Sequence, residues 1–248
     1  MNFPFNRRPK PLQPSTTAAK RELYPSGLFS RLLLGPLILT LGGCVTATVQ
    51  EVREAATGMR QDESVVVIGR AGTVRGAETE EDFVTCIGRN MGGGGDAVAV
   101  ITQQDFQDAM FPWFEPRIAP LATTDLPELL SQPQMARRLE EIGLRYLIWV
   151  DGSTQRTDES GSMSCTITPG GAGCFGFLSW EHDSSYEASV WDVQNGKPVG
   201  KVSSDASGTS FMPAVVVPVP FVARVRAQAC NSMANQLKSF VIDEGPTS

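Results

Sequence analysis

The chain has 248 residues, 41% hydrophobic and 19% charged, with 21 basic against 27 acidic side chains and a single histidine. Its acidity argues against nucleic acid as a partner, since phosphate backbones need clustered Lys and Arg. Five cysteines are an odd number, so one of them is expected to stand apart from any pairing.

The first thirty residues carry Arg7, Arg8, Lys10, Lys20 and Arg21, with Glu22 as the one acid. Arg31 then precedes an apolar run over 32–41, which ends in Leu41-Gly42-Gly43-Cys44. A basic segment, about 7–15 apolar residues and small residues at a cut make a secretory signal. The run is too short to cross a bilayer, which takes about 20 residues as a helix. A cysteine directly after the small pair resembles the lipobox of bacterial lipoproteins. The resemblance implies cleavage before Cys44, a diacylglyceryl group on its sulfur and a further acyl chain such as palmitate on its new amino group. Residues 1–43 are then a signal peptide with a long basic leader, whose length suggests a start codon assigned too early. Val45 stands where an inner-membrane retention signal more often has Asp, so the resemblance implies the outer membrane, facing the periplasm.

Of the charged residues, six basic and one acidic lie before Cys44, which leaves 15 against 26 in the remaining 205 residues, a net of −11. That length suits a single domain with one ordinary core. The acidity leaves no polybasic hold on anionic lipid, so the acyl chains are the expected anchor; one chain binds marginally and two or more bind stably. Setting Cys44 aside leaves Cys86, Cys165, Cys174 and Cys230, an even set in an oxidising compartment, with three possible pairings.

Residues 44–63 lack a strong apolar period and are expected to be a flexible tether with at most a short helix over 50–56, reaching roughly 60 Å if extended. Ser64-Val-Val-Val-Ile68 reads as a strand buried on both faces. Thr79-Glu-Glu-Asp82 predicts a capping box opening a helix whose one face carries Phe83, Cys86, Ile87 and Asn90. Gly92 to Gly95 stop it. Four glycines can cradle a phosphate before a helix, but a strand over 97–101 follows, so a flexible loop is expected. A short helix over 103–109 runs into Phe111-Pro-Trp-Phe-Glu-Pro116, an aromatic elbow. Phe111, Trp113 and Phe114 there either plug the core or form a partner surface. Helices are expected from Asp125 and from Ser131, then a buried strand over 145–150. This rhythm is that of an α/β sheet covered by helices.

From Asp151 the chain turns β-rich. Residues 154–161 are polar and read as a loop. Cys165 and Cys174 bracket a tip rich in turn residues, and a strand closing on itself there brings their Cα atoms within the 7 Å a disulfide needs. Tyr186 and Val199 belong to strands flanking Asn195-Gly196, a strong hairpin signal. Residues 208–219 are extended, with Pro213, Pro218 and Pro220 restricting them to an edge or loop. Residues 221–241 form the longest predicted helix, with Phe221, Val225, Ala229, Met233, Leu237 and Phe240 as its stripe. If it shares a sheet face with the first helix, Cys86 pairs with Cys230. Residues 64–243 are thus expected to be a single α/β (α+β) domain, a mixed sheet with helices packed on it and a long β-hairpin, followed by a disordered tail over 244–248.

Tyr146-Leu-Ile-Trp-Val-Asp-Gly152, and Ala188-Ser-Val-Trp-Asp192 followed by Asn195-Gly196 and Gly200, are similar to envelope lipoproteins of the curli-secretion type and to the amino-terminal domain of TolB-like periplasmic proteins. That similarity spans residues 64–241 and speaks to fold alone.

The chemistry-bearing residues are sparse. His182 sits in Trp180-Glu-His-Asp183, which reads as a polar surface turn, and no Gly-x-Ser-x-Gly elbow accompanies it. A metal held by Cys165, Cys174 and His182 is a poorer use of those thiols than a disulfide. Asp96, Asp151 and Asp192 stand at predicted strand ends, where carboxylates act in catalysis and also cap turns. The sequence therefore points to a non-catalytic membrane-anchored lipoprotein that binds other envelope proteins or assists envelope assembly, with no cofactor or metal beyond its covalent lipid and no nucleic acid. The alternatives are a subunit of a curli-type secretion or assembly complex, and a periplasmic hydrolase or small-ligand binder.

Overall fold

The computed structural model describes residues 45–72, 78–115 and 118–243. Cys44, the signal segment and the expected tail 244–248 lie outside the described residues.

The β-branched run forms β2 (Ser64–Gly69), and its alternation feeds two cores. Val65 and Val67 face one, Val66 and Ile68 the other. β2 pairs in parallel with β3 (Ala99–Ile101) and with the start of β4 (Leu144–Thr168). β5 (Gly171–Asp192), β6 (Lys197–Pro218) and β1 (Val45–Arg53) continue antiparallel, giving a six-stranded mixed sheet in the order β1-β6-β5-β4-β2-β3. Helices α1 (Glu81–Met91) and α5 (Val225–Ile242) cover one face. Helices α2 (Gln103–Ala109), α3 (Leu126–Leu130) and α4 (Pro133–Glu141) cover the other. The fold is therefore α+β, with strand alternation dividing the sheet's side chains between two helical layers.

Several expectations change. Of the stretch expected as a tether, 44–63, residues 45–53 form the edge strand β1, with Val45, Ala47 and Val49 packed on the α1/α5 core. Its end is pinned, because the Arg53 guanidinium donates to the carbonyls of Phe240 (3.2 Å) and Asp243 (3.1 Å) and lies over the Phe240 ring. The capping box does not form. Thr79 spends its hydroxyl on the Val150 carbonyl (2.9 Å), and the Glu80 side chain turns toward β4 and β5. The last helix starts at Val225 rather than at Phe221, which instead pairs with Phe211 alongside β6. The polar stretch 154–161 is strand, paired with β5 on both sides of a register shift at Thr157.

Both disulfides are formed. Cys86–Cys230 joins α1 to α5 with Cα atoms 6.3 Å apart, and Cys165–Cys174 crosses the β4–β5 hairpin with Cα atoms 4.0 Å apart.

Candidate functional site: a β arm in two zones

β4, β5 and β6 are 25, 22 and 22 residues long, well beyond what the cores cover. β2 stops at Gly69 opposite Val150, so past that point β4 has no outer neighbouring strand among the described residues. The three strands leave the body as a free arm. From Ser184, the last buried residue of β5 toward the tip, to Gly171 the arm spans roughly 40 Å at about 3.3 Å per residue.

A polar knot holds its base. The Glu80 carboxylate accepts from the Thr154 amide (3.0 Å) and from the Tyr186 hydroxyl (2.9 Å), while the Thr154 hydroxyl bonds Tyr186 (2.8 Å) and Ser184 (2.7 Å). Burial, with the Glu80 carboxylate beside it, pushes the Tyr186 phenol well above its ordinary range, so it remains a donor. The ring stacks on Phe83 at 3.5 Å between centroids. Gly152 lies under it with φ +139°, where a Cβ would meet the Ser185 carbonyl at 2.2 Å and the Tyr186 ring at 2.8 Å. Glu80, at the N-cap of α1, makes no capping hydrogen bond with its side chain and instead ties α1 to the arm.

Above the knot the arm has two zones. The lower zone is charged: Arg156, Asp158 and Glu159 on β4, Glu181, His182 and Asp183 on β5, Asp205 on β6. Beyond it, neither 161–178 nor 206–223 contains a single Asp, Glu, Lys, Arg or His. Strand alternation gives this tip an aromatic face. Phe175 lies opposite Val215, Phe177 opposite Pro213, and Ser179 opposite Phe211. Phe177, Phe211 and Phe221 form a ladder with centroid separations of 6.4 and 5.3 Å. Phe175 is 57% exposed, Phe177 49% and Val215 80%. The β4 side of the same face offers Ser160, Ser162 and Ser164.

The residues singled out from the sequence scatter. His182 lies on β5 opposite Arg156, eight residues from Cys174, and among the described residues no three metal-ligating side chains converge. Asp151 pairs with Arg70 (2.7 Å). Asp192 is buried and accepts from Arg145 (3.0 and 2.9 Å) and from the backbone and side-chain nitrogens of Asn195, closing the β5–β6 turn. Asp96 is exposed in the loop before β3. The aromatic elbow divides. Phe114 is only 3% exposed and packs against Phe106 in the second core, so it is a plug rather than a surface. Trp113 donates to Gln132 (3.1 Å) under Arg138, and Phe111 stands 56% exposed. A crevice of about 820 Å³ opens at the carboxyl ends of β2 and of the buried part of β4, lined by Arg70, Glu80, Gln103, Trp149 and Thr154. Its polar walls are largely satisfied by one another: Arg70 by Asp151, Glu80 by Thr154 and Tyr186, Gln103 by the Gly69 amide.

The long β-hairpin expected from the sequence is present, but sequence reading missed that 154–161 continue it as strand and that β6 extends beside it, because the middle of the arm lacks hydrophobic alternation. The signal was the abrupt loss of charge over 161–178 and 206–223.

No protein-family model and no curated protein matches the chain. Among solved structures it is similar to two crystal forms of PelC dodecamers from Paraburkholderia phytofirmans, one a point variant. The identities are 13% and 14%, covering 79% and 80% of this chain and 98% and 99% of that chain, each with a TM-score of 0.36. A likeness that loose carries no argument about this chain's function.

Proposed function

We propose that this chain is a lipid-anchored protein of the bacterial envelope, held by acyl chains on Cys44 in the outer membrane and facing the periplasm. Its body is non-catalytic, and its arm binds other envelope proteins. The observation that carries this reading is the outer edge of β4 past Val150, which has no neighbouring strand among the described residues. Such an edge takes an extended segment of a partner as an added strand. The engagement of Asp151 and Asp192 in ion pairs supports a non-catalytic role, and two disulfides fit an oxidising compartment. Phe111 is a second, smaller contact candidate on the body. The reading needs no cofactor beyond the covalent lipid.

The test combines the mass of the mature amino-terminal peptide with photo-crosslinking in the native envelope. A crosslinker at Ser160 on that edge is expected to yield discrete adducts that one at the exposed Glu141 on α4 does not. Equal or absent adducts at both positions would overturn the edge as the docking element.

A second reading, a subunit of a curli-type assembly complex, draws on strand length. The three arm strands each exceed the 9–11 residues with which a β-strand crosses a membrane. Ring-shaped particles in detergent would favour it over the first.

A further inference from the structure

The register of β1 relates the arm to the membrane. β1 runs antiparallel to β6 with Val45 opposite Gly208, so its amino end points toward the arm's tip and away from the body. Cys44 is bonded to Val45, one Cα step of about 3.8 Å away. On β6 the last charge before the tip is Asp205, three residues below Gly208, and the apolar run begins at Phe211, three residues above it. Each interval is roughly 10 Å. Across the arm His182 is level with Gly208, Glu181 with Thr209 and Glu159, through Trp180, with Ser210, so the arm passes from charged to uncharged about two residues, roughly 7 Å, tipward of the level at which the chain departs toward Cys44. One of these positions is fixed by strand register and the other by composition, and neither requires the other.

We propose that the tip face bearing Phe175, Phe177, Phe211 and Val215 beds in the headgroup–acyl boundary of the membrane to which Cys44 is anchored. The inference rests on the lipid anchor proposed above and deepens it, since a lipid beside a bedded arm fixes the protein's orientation where a lipid on a tether would not. The occupant is lipid, because a second copy seated on this face would give no reason for the apolar zone to start so close above the level of the anchor. The charged lower zone and the body, net acidic, remain in water, and the tip loses no charge hydration on contact. Immersion stops at the boundary, about 5–10 Å deep. The outer edge of β4 over 161–168 has no neighbouring strand among the described residues, and hydrocarbon does not tolerate an open sheet edge.

The experiment uses the full chain, processed and acylated in a bacterial host and reconstituted into phosphatidylcholine vesicles. The lipid chains are brominated either near the headgroup or near the bilayer centre. Phe177→Trp is compared with Gln50→Trp, an exposed position on β1 farther from the tip, each read as the change over the parent's four tryptophans. The indole added at 177 is expected to shift to the blue and to lose roughly half its fluorescence to shallow bromines, less to deep ones, without sensitivity to salt. The indole at 50 should not respond. Val215→Trp provides the same readout should the first variant fail to fold. Equal quenching at both positions overturns the inference, as does stronger quenching by deep bromines, which would mean a tip that crosses the core. So does an unquenched oligomer that F177E disperses, which would mean an interface between copies. The mass of the Cys44 peptide from the same sample separates the two ideas. A Cys44 without acyl chains removes the anchor and this inference together, whereas an acylated Cys44 with an unquenched tip removes this inference alone.

Discussion

β4 passes through two environments, and comparing its halves shows how differently they are held. From Leu144 to Val150 nearly every side chain is buried between two helical layers, whereas from Gln155 to Thr168 almost every one is exposed. The first half is ordered by burial, which is non-directional and tolerant of volume-conserving change. The second is ordered by strand pairing, by the knot of Glu80, Thr154 and Tyr186 at its base and by Cys165–Cys174 near its end. Two-stranded hairpins are marginal in water, and a third strand with at least one supported face is needed for stability. The arm therefore takes its stability from the body, and the body owes little to the arm.

Breaking that asymmetry is the way to test it. The largest effect should come from the disulfide between α1 and α5, which spans 144 residues. Replacing Cys86 and Cys230 by serine is expected to lower global stability by about 4–5 kcal/mol on the chain-entropy scale, read by denaturant unfolding. The matching replacement of Cys165 and Cys174 should leave global unfolding almost unchanged and raise hydrogen exchange over 161–178 alone. Equal global losses for the two pairs would mean that arm and body unfold as one unit.

Next in size is Phe83→Ala. This ring is buried beneath Tyr186 at the junction, and its loss should cost about 3–5 kcal/mol. The same change should loosen the arm, visible as faster exchange over 153–160. Protection there unaltered from the parent would remove Phe83 from the arm's support.

Tyr186→Phe probes the knot and should cost about 1–3 kcal/mol by leaving Glu80 short of a donor. It also carries a pH signature. The folded phenol holds its proton above the ordinary range, so its contribution is intact below the unfolded value of about 10 and declines as pH rises beyond it. The variant should flatten the alkaline limb of stability against pH, and a limb of unchanged slope would assign that loss to another group.

The smallest effect on stability should come from the tip. Phe175→Ser with Phe177→Ser is expected to change unfolding free energy by no more than about 0.5 kcal/mol, because both rings are half exposed. Solubility without detergent should improve, as an exposed apolar patch is removed. A large destabilisation would show that the aromatic ladder supports the arm itself.

The mixed sheet was legible where side chains meet a core on a fixed period. Val65 to Ile68, the α1 stripe and the buried start of β4 all follow from that rule. Cys165–Cys174 was legible because the closure is local. β1 was also within reach, since Val45-Thr-Ala-Thr-Val49 alternates with a period of two, but polar neighbours and the expectation of a tether masked it. Residues 154–161 were not, because a strand exposed on both faces needs no hydrophobic period and is identified only by its partners.

By itself the sequence determined the two-layered α+β body, the separation of a charged from an uncharged stretch and the even cysteine set left once Cys44 is set aside. These depend on local periodicity and composition, which a chain carries wherever it goes. Only the tertiary structure decided that residues 45–53 close the sheet, that Glu80 at the N-cap of α1 bonds Tyr186, that Cys86 meets Cys230 and that the uncharged stretches assemble at the end of an arm. Each of these is a pairing between residues distant in sequence, fixed by register and by burial on a shared face, and neither exists until the whole sheet has formed.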